Sequence, residues 1–420
     1  MKRYESYSSS GFDWLGETPS HWKVLRMCYM FKPVSIKNTS GEINLSVYRD
    51  YGVIPTDSRD DNHNVISEDT SNYKLVEEGD FVMNKMKCWM GSLGLSDYRG
   101  IVSPSYTVMK PLQSNYHKYT HYLLRSPQYI PQYKRLSYGV REGQWDLRFE
   151  DFRELPCLIP PLSEQQQIVS FLDTKTSLID SLIEKTQRKI ELLKEKKSSL
   201  INEVVTKGLN PNVEMKDSGV EWIGKIPSNW LIKPLYTVCE HSKEKNEDGE
   251  STVLSLSYGK LKVREVETNF GLLPESFDKY QRVRPGYIIL RLTDLQNDKK
   301  SLRVGHSYLD GIITPVYVGL RCNSSILSEY LYYHLHNSDI KKVLYSLGGG
   351  LRQTLRFDEL KRLPVPVFPI EQQQQIVEYL DEQTQLIEKT ISIEEKRIEL
   401  LKEYRQSLIS EVVTGKRKVV

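Results

Sequence analysis

The sequence predicts an α+β protein. Two α/β-mixed bodies stand in pseudo-two-fold arrangement, joined by two long helices that form an antiparallel coiled coil. Three observations predict this. First, Ser10-Gly11-Phe12-Asp13-Trp14-Leu15-Gly16 returns as Ser218-Gly219-Val220-Glu221-Trp222-Ile223-Gly224, and Pro19-Ser20-His21-Trp22 returns as Pro227-Ser228-Asn229-Trp230, always 208 positions later. A period of that length is a duplicated domain and not a solenoid unit. Second, the match is uneven. Residues 148–206 align with 356–414 without a gap and with nearly half the positions identical, whereas Met27–Tyr138 hardly matches its copy. Third, each well-matched segment carries apolar residues in alternating steps of three and four. The implied divisions are a first body over 1–160, a long helix over 161–208, a linker over 209–217, a second body over 218–368 and a C-terminal long helix over 369–414.

The first body reads as short strands broken by turn residues, among them Asp80-Phe81-Val82-Met83 and Ile101-Val102. In the second body Tyr287-Ile288-Ile289-Leu290 and Ile312-Ile313 follow in the same order, so the two are distant versions of one fold. Loops between these strands hold Lys85, Lys87, Trp89 and Ser92 in one copy, and Arg291, Thr293, Asp294, Gln296, Asn297 and Arg303 in the other. Such side chains bind phosphates and read base edges, Arg or Lys on guanine and Gln or Asn on adenine. Taken one at a time, each also fits an ordinary polar loop.

A second loop precedes each long helix. Ser137-Tyr138-Gly139-Val140-Arg141-Glu142-Gly143-Gln144 leads into Leu147-Arg148-Phe149, and Gly348-Gly349-Gly350-Leu351-Arg352-Gln353 leads into Leu355-Arg356-Phe357. Glycine beside Arg and Gln permits close backbone approach to a ligand. Arg141, Gln144, Arg148, Arg352, Gln353 and Arg356 therefore join the candidate DNA-contacting set. Neither loop is a nucleotide loop, because no Gly-Lys-Ser/Thr follows.

The first long helix opens at Pro161-Leu162-Ser163, where Ser163 and Gln166 have the spacing of a capping box. Its seam is Leu172, Thr176, Ile179, Ile183, Thr186, Ile190, Leu193, Lys197, Leu200 and Val204. The second seam is Leu380, Thr384, Ile387, Ile391, Glu394, Ile398, Leu401, Arg405, Leu408 and Val412. Two matching seams in one chain most simply pack on each other, and a two-fold relation makes the pair antiparallel. Thr186, Lys197, Glu394 and Arg405 would fix the register at some cost in stability.

Composition bounds the class. A net charge of +3 over 420 residues is only mildly basic. Five scattered cysteines without a Cys-x-x-Cys pair argue against zinc and against a disulfide framework, and fit a reducing cytoplasm. No apolar run spans a bilayer and no signal peptide is visible, so a soluble cytoplasmic protein is expected, with no membrane partner.

With these residues assembled, the chain resembles the specificity subunits of type I restriction–modification systems. The carrying motifs are Gly16–Trp22 and Gly224–Trp230, Leu355-Arg356-Phe357-Asp358-Glu359-Leu360 with Leu363-Pro364, and Pro161-Leu162-Ser163-Glu164-Gln165-Gln166-Gln167-Ile168-Val169 with Leu172-Asp173. The resemblance covers essentially the whole chain and both repeats. It implies that the bodies are target recognition domains, each reading half of a split site in double-stranded DNA. It also implies that the helices form a spacer docking two methyltransferase subunits, which motor/nuclease subunits can join. Departures are small: Trp145 and Asp146 stand where the second copy has Gln353 and Thr354, and Glu371 replaces Ser163.

Catalytic signatures are missing from the sequence. There is no Asn/Asp-Pro-Pro-Tyr/Phe box and no phosphate-binding loop, and the eight histidines lack ligand spacing. Glu195-Lys196-Lys197 resembles a nuclease Glu-x-Lys but falls on the helix seam. The chain is expected to recognise DNA and carry no cofactor or metal, with S-adenosylmethionine, ATP and Mg on the partner subunits. Two other classes compete: a fused methyltransferase or nuclease, which would bind S-adenosylmethionine saturably, and a scaffold that would shift no duplex.

Overall fold

The computed structural model describes residues 2–37, 41–49, 51–58, 69–112, 117–139, 145–264, 276–295, 302–347 and 354–419. The chain divides into two units, one made of Met1–Gln187 with Lys396–Val420, the other of Arg188–Glu395. Each unit thus owns one body, the start of one long helix and the end of the other.

In the first unit an antiparallel four-stranded sheet has the order Phe31–Val34, Tyr106–Pro111, Phe81–Asn84, Leu93–Leu95. Its central strand is wholly buried because both faces are covered. Phe81 and Met83 face one apolar cluster, shared with Met27, Tyr119 and Phe152, while Val82 faces another, shared with Leu45, Val53 and Val108. The period-2 alternation of side chains divides one short apolar run between two cores. A hairpin of Leu45–Tyr48 with Gly52–Pro55 covers the second cluster. Pro156–Ile159 returns to pair with Lys23–Arg26 just before the first long helix begins.

The second unit repeats this plan. Its sheet runs Cys239–Ser242, Val318–Cys322, Ile288–Leu290, Val304–His306, with a hairpin of Leu254–Ser257 and Lys260–Val263. Ile288 and Leu290 face one cluster and Ile289 the other. The segment expected to be a linker, 209–217, ends in a strand, Met215–Asp217, paired with Lys225–Pro227.

The long helices are Leu162–Lys207 and Ile370–Val413. Every expected seam position on them is buried or half-buried, and the intervening positions are largely exposed. In the first unit the helices run antiparallel, with Leu172 and Ile179 in one cluster with Leu408 and Val412, and Arg405 in a two-pronged ion pair with Asp180. In the second unit they are again antiparallel: Lys197 pairs with Glu388 and Lys189 with the buried Glu394, each at 2.5 Å. The polar seam residues thus take partners off the seam. Thr186 bonds the Leu182 carbonyl of its own helix at 2.7 Å.

The helix starts depart from the expected capping box. Ser163 lies inside the helix and is exposed. Instead the Pro161 carbonyl accepts the Glu164 and Gln165 N–H groups, and the buried Gln165 amide reaches back to the Pro160 carbonyl at 2.8 Å. Gln373, 208 positions later, does the same with the Phe368 carbonyl at 2.7 Å and also accepts the Leu327 N–H. A long amide carries both donor and acceptor, so it joins the helix start to the body, which the exposed hydroxyl of Ser163, already inside the first turn, does not do.

The helix ends are docked alike. Tyr330 donates to the Val205 carbonyl at 3.0 Å, and Gly208, at φ +75°, lies against the Trp230 ring. In the first unit Gly415, at φ +73°, lies against Pro19 and Trp22. A left-handed glycine closing a helix relieves its last carbonyls without a Cβ penalty. The repeated Pro-Ser-x-Trp motif is therefore the receiver for a helix end.

Candidate nucleic-acid interface

In the first body the loop after the central strand is a 3-10 turn, Lys85–Met90, closed by Gly91 at φ +94°. The approach to the first long helix is bonded directly to it: the Leu147 N–H donates to the Lys85 carbonyl at 3.2 Å. The two loops therefore form one surface. Trp89 and Trp145 meet edge to face with centroids 5.3 Å apart, and the Lys134 ammonium lies 5.8 Å from the Trp145 ring. The Arg148 guanidinium lies 4.8 Å from the centre of the exposed Tyr138 ring. Lys87 and Arg148 are exposed and Lys85 half-buried. Burial first, and then the neighbouring Lys85 charge, pull Lys74 below the usual lysine range.

The second body joins its loops at the corresponding place, with the Leu355 N–H donating to the Leu292 carbonyl at 2.9 Å. Asp294 adopts φ +57°, in the left-handed region. That turn is held from beneath by Arg303, which is fully buried. Its guanidinium donates to the carbonyls of Arg291, Thr293 and Asp294, and to the Tyr345 hydroxyl. Its own N–H donates to the buried Asp339 carboxylate at 2.6 Å. Arg291, Thr293 and Asp294 are half-buried at the rim, and Arg356 is exposed with its N–H on Glu359.

Two expected contact residues are thereby relocated. Arg303 spends its donors on the loop and offers none at the surface. Ser92 is buried, and its carbonyl accepts the Asn84 N–H. Arg141, Gln144, Gln296, Asn297, Arg352 and Gln353 lie outside the described residues. Lys134 and Tyr138 were missed as contact candidates. The signal for Trp145 was visible as the place where the two copies differ.

The outer faces of the long helices carry exposed apolar side chains: Leu178, Leu182, Leu400 and Tyr404 in the first unit, Leu192, Leu386 and Ile393 in the second. They lie off the buried seam and face solvent in this chain. Among the described residues no cluster of three or more His, Cys, Asp or Glu could hold a metal, and no helix is long and apolar enough to cross a membrane.

The sequence profile described as the type I restriction modification DNA specificity domain matches residues 19–192 and 312–403. The type I restriction enzyme MjaVIII specificity subunit of Methanocaldococcus jannaschii is 26% identical over 425 residues, covering 96% of this chain and 94% of that protein. The putative MjaX specificity subunit of the same organism is 21% identical, with 96% of each chain covered. Among solved structures, the HsdS subunit from Thermoanaerobacter tengcongensis superposes with a TM-score of 0.53 at 16% identity, over 95% of this chain and 98% of that one. A chain from a study of complex assembly and conformational transition of the type I R-M system reaches 0.68 at 16% identity, over 94% and 98%. These two likenesses establish the fold.

Proposed function

The chain belongs to the type I restriction modification DNA specificity family, and from that we propose that each body reads one half of a bipartite duplex site while partner subunits catalyse. The observation that carries this is the paired-loop surface, built twice by the same backbone link, Leu147 to Lys85 and Leu355 to Leu292. Its scaffold is constant and its side chains differ, which is what two different half-sites require. Phosphate contacts come from Lys85, Lys87, Arg148 and Arg356, and base readout from the loop tips, including Arg291, Thr293 and Asp294. The exposed apolar residues of the long helices dock two methyltransferase subunits, to which motor/nuclease subunits are added. S-adenosylmethionine, ATP and Mg belong to those partners. Working on chromosomal DNA, the complex resides in the cytoplasm.

Methylome sequencing of cells expressing the chain with its methyltransferase tests the reading. A methylated motif of two short blocks separated by unread positions is expected. A single contiguous block, or no motif, would overturn it.

A further inference from the structure

The first body carries an aromatic pair beside several cations. Trp89 and Trp145 pack edge to face, 5.3 Å between centroids, and both rings are half-exposed. The indole N–H of Trp89, the one donor of its side chain, is already used, since it donates to the Met86 carbonyl at 3.1 Å. That ring can offer a ligand carbon surface and nothing else. Cations lie close to the pair, with Lys85 and Lys87 on the same 3-10 turn as Trp89 and Lys134 beside the Trp145 ring; Asp146, half-buried, follows Trp145 in the chain, and Arg148 comes two residues later. Lysines flanking an apolar patch match a polyanion that exposes apolar groups between its charges. In the major groove of duplex DNA the apolar group on a base edge is the thymine C5-methyl. At the position 208 residues on, the second body has Gln353 in place of Trp145, so the aromatic pair is peculiar to the first copy.

We propose that the Trp89–Trp145 pair reads thymine methyl groups in the half-site of the first body, with Lys85, Lys87 and Lys134 on the flanking phosphates. This rests on the bipartite reading given above. It deepens it by assigning one half to apolar contact and the other to hydrogen-bonded readout.

Replacing thymine by uracil removes the methyl and leaves base pairing intact. The test measures duplex binding by the chain assembled with its methyltransferase subunits, with each thymine of the first half-site replaced in turn. At one or more positions uracil should bind about three- to fivefold more weakly, the worth of one buried methyl-sized group. In Trp145→Ala the thymine-to-uracil ratio should fall to about one. Trp145→Phe, which keeps an aromatic ring against Trp89, should retain part of it. A loss of folding would weaken all duplexes and leave the ratio alone, so the ratio separates contact from packing. Indifference of the wild-type complex to uracil, a ratio unchanged in Trp145→Ala, or a half-site without thymine would each overturn the inference and leave the bipartite reading standing. Failure of the wild-type complex to prefer any duplex sequence would instead overturn the bipartite reading itself.

Discussion

The Tyr119 hydroxyl donates to the main-chain carbonyl of Val413, 3.0 Å away in space and 294 residues away in sequence. Tyr330 makes the same bond to Val205, also at 3.0 Å. A helix leaves its last carbonyls without intrahelical partners. Here a buried tyrosine from the body satisfies one of them at the end of each long helix. Tyr119→Phe and Tyr330→Phe should each lower stability by about 1–2 kcal/mol, the cost of stranding a buried carbonyl. Urea denaturation checks this. A change below about 0.3 kcal/mol in both would show that the bonds contribute nothing.

The two helix-ending glycines should differ in tolerance. A Cβ on Gly208 would lie 3.3 Å from the Trp230 ring, whereas one on Gly415 would lie 2.3 Å from Pro19. Both pay the left-handed penalty of about 1 kcal/mol. Only the second adds a clash with a rigid ring. Gly415→Ala should therefore destabilise more than Gly208→Ala, measured as the shift in thermal midpoint. The reverse order would refute the docking geometry.

Helix core and helix surface should separate cleanly. Ile190 is buried at 1% exposure, while Leu192 is 49% exposed. Ile190→Asp strands a charge in the seam and should cost about 3–5 kcal/mol. Leu192→Asp should change stability by less than about 1 kcal/mol yet reduce co-purification of methyltransferase. Normal co-purification of Leu192→Asp together with Leu400→Asp would remove these faces as the docking surface.

Stability should fall in mild acid. Burial holds both His334 and His336 down to about 4, against about 6.5 when unfolded. Between these values the unfolded chain takes up protons that the folded chain refuses. The contribution is intact above pH 6.5 and is lost as pH falls toward 4. At pH 5 each histidine should cost about 2 kcal/mol. Denaturant midpoints at pH 7.5 and 5.0 measure it, and His336→Gln should shrink the difference by about 2 kcal/mol, leaving the share of His334.

Exchange of residues 1–156 for those of a relative should alter one half of the methylated motif and spare the other, read by methylome sequencing. Alteration of both halves would show that the bodies do not read independently.

The long helices were legible because a heptad seam depends only on local spacing, and burial of Leu172, Ile179, Ile190 and Val204 follows it. The strand order was not legible: strands of three to six residues with diverged sequence carry no pairing signal. Arg303 shows where the site reading failed. Residue type marks an arginine as a phosphate or guanine binder, but only the folded loop reveals three carbonyls converging on it. Ser92 failed for a related reason, since residue type does not reveal that the turn folds it inward, its main chain bonded to Asn84 and Lys87. In Trp145 the difference between the copies was visible, and its pairing with Trp89 was not.

The division of the chain also has a consequence for synthesis. The second unit is one uninterrupted stretch, Arg188–Glu395, and can close as soon as it leaves the ribosome. The first unit needs Lys396–Val420 to complete its core, because Leu408, Ile409, Val412 and Val413 belong to it. At about 5–20 residues per second, the early-made body waits roughly 10–40 seconds for its last helix. Through that interval Leu172 and Tyr119 lack their helix partner, so a released chain truncated after Glu395 should hold an unfinished first unit and a complete second one.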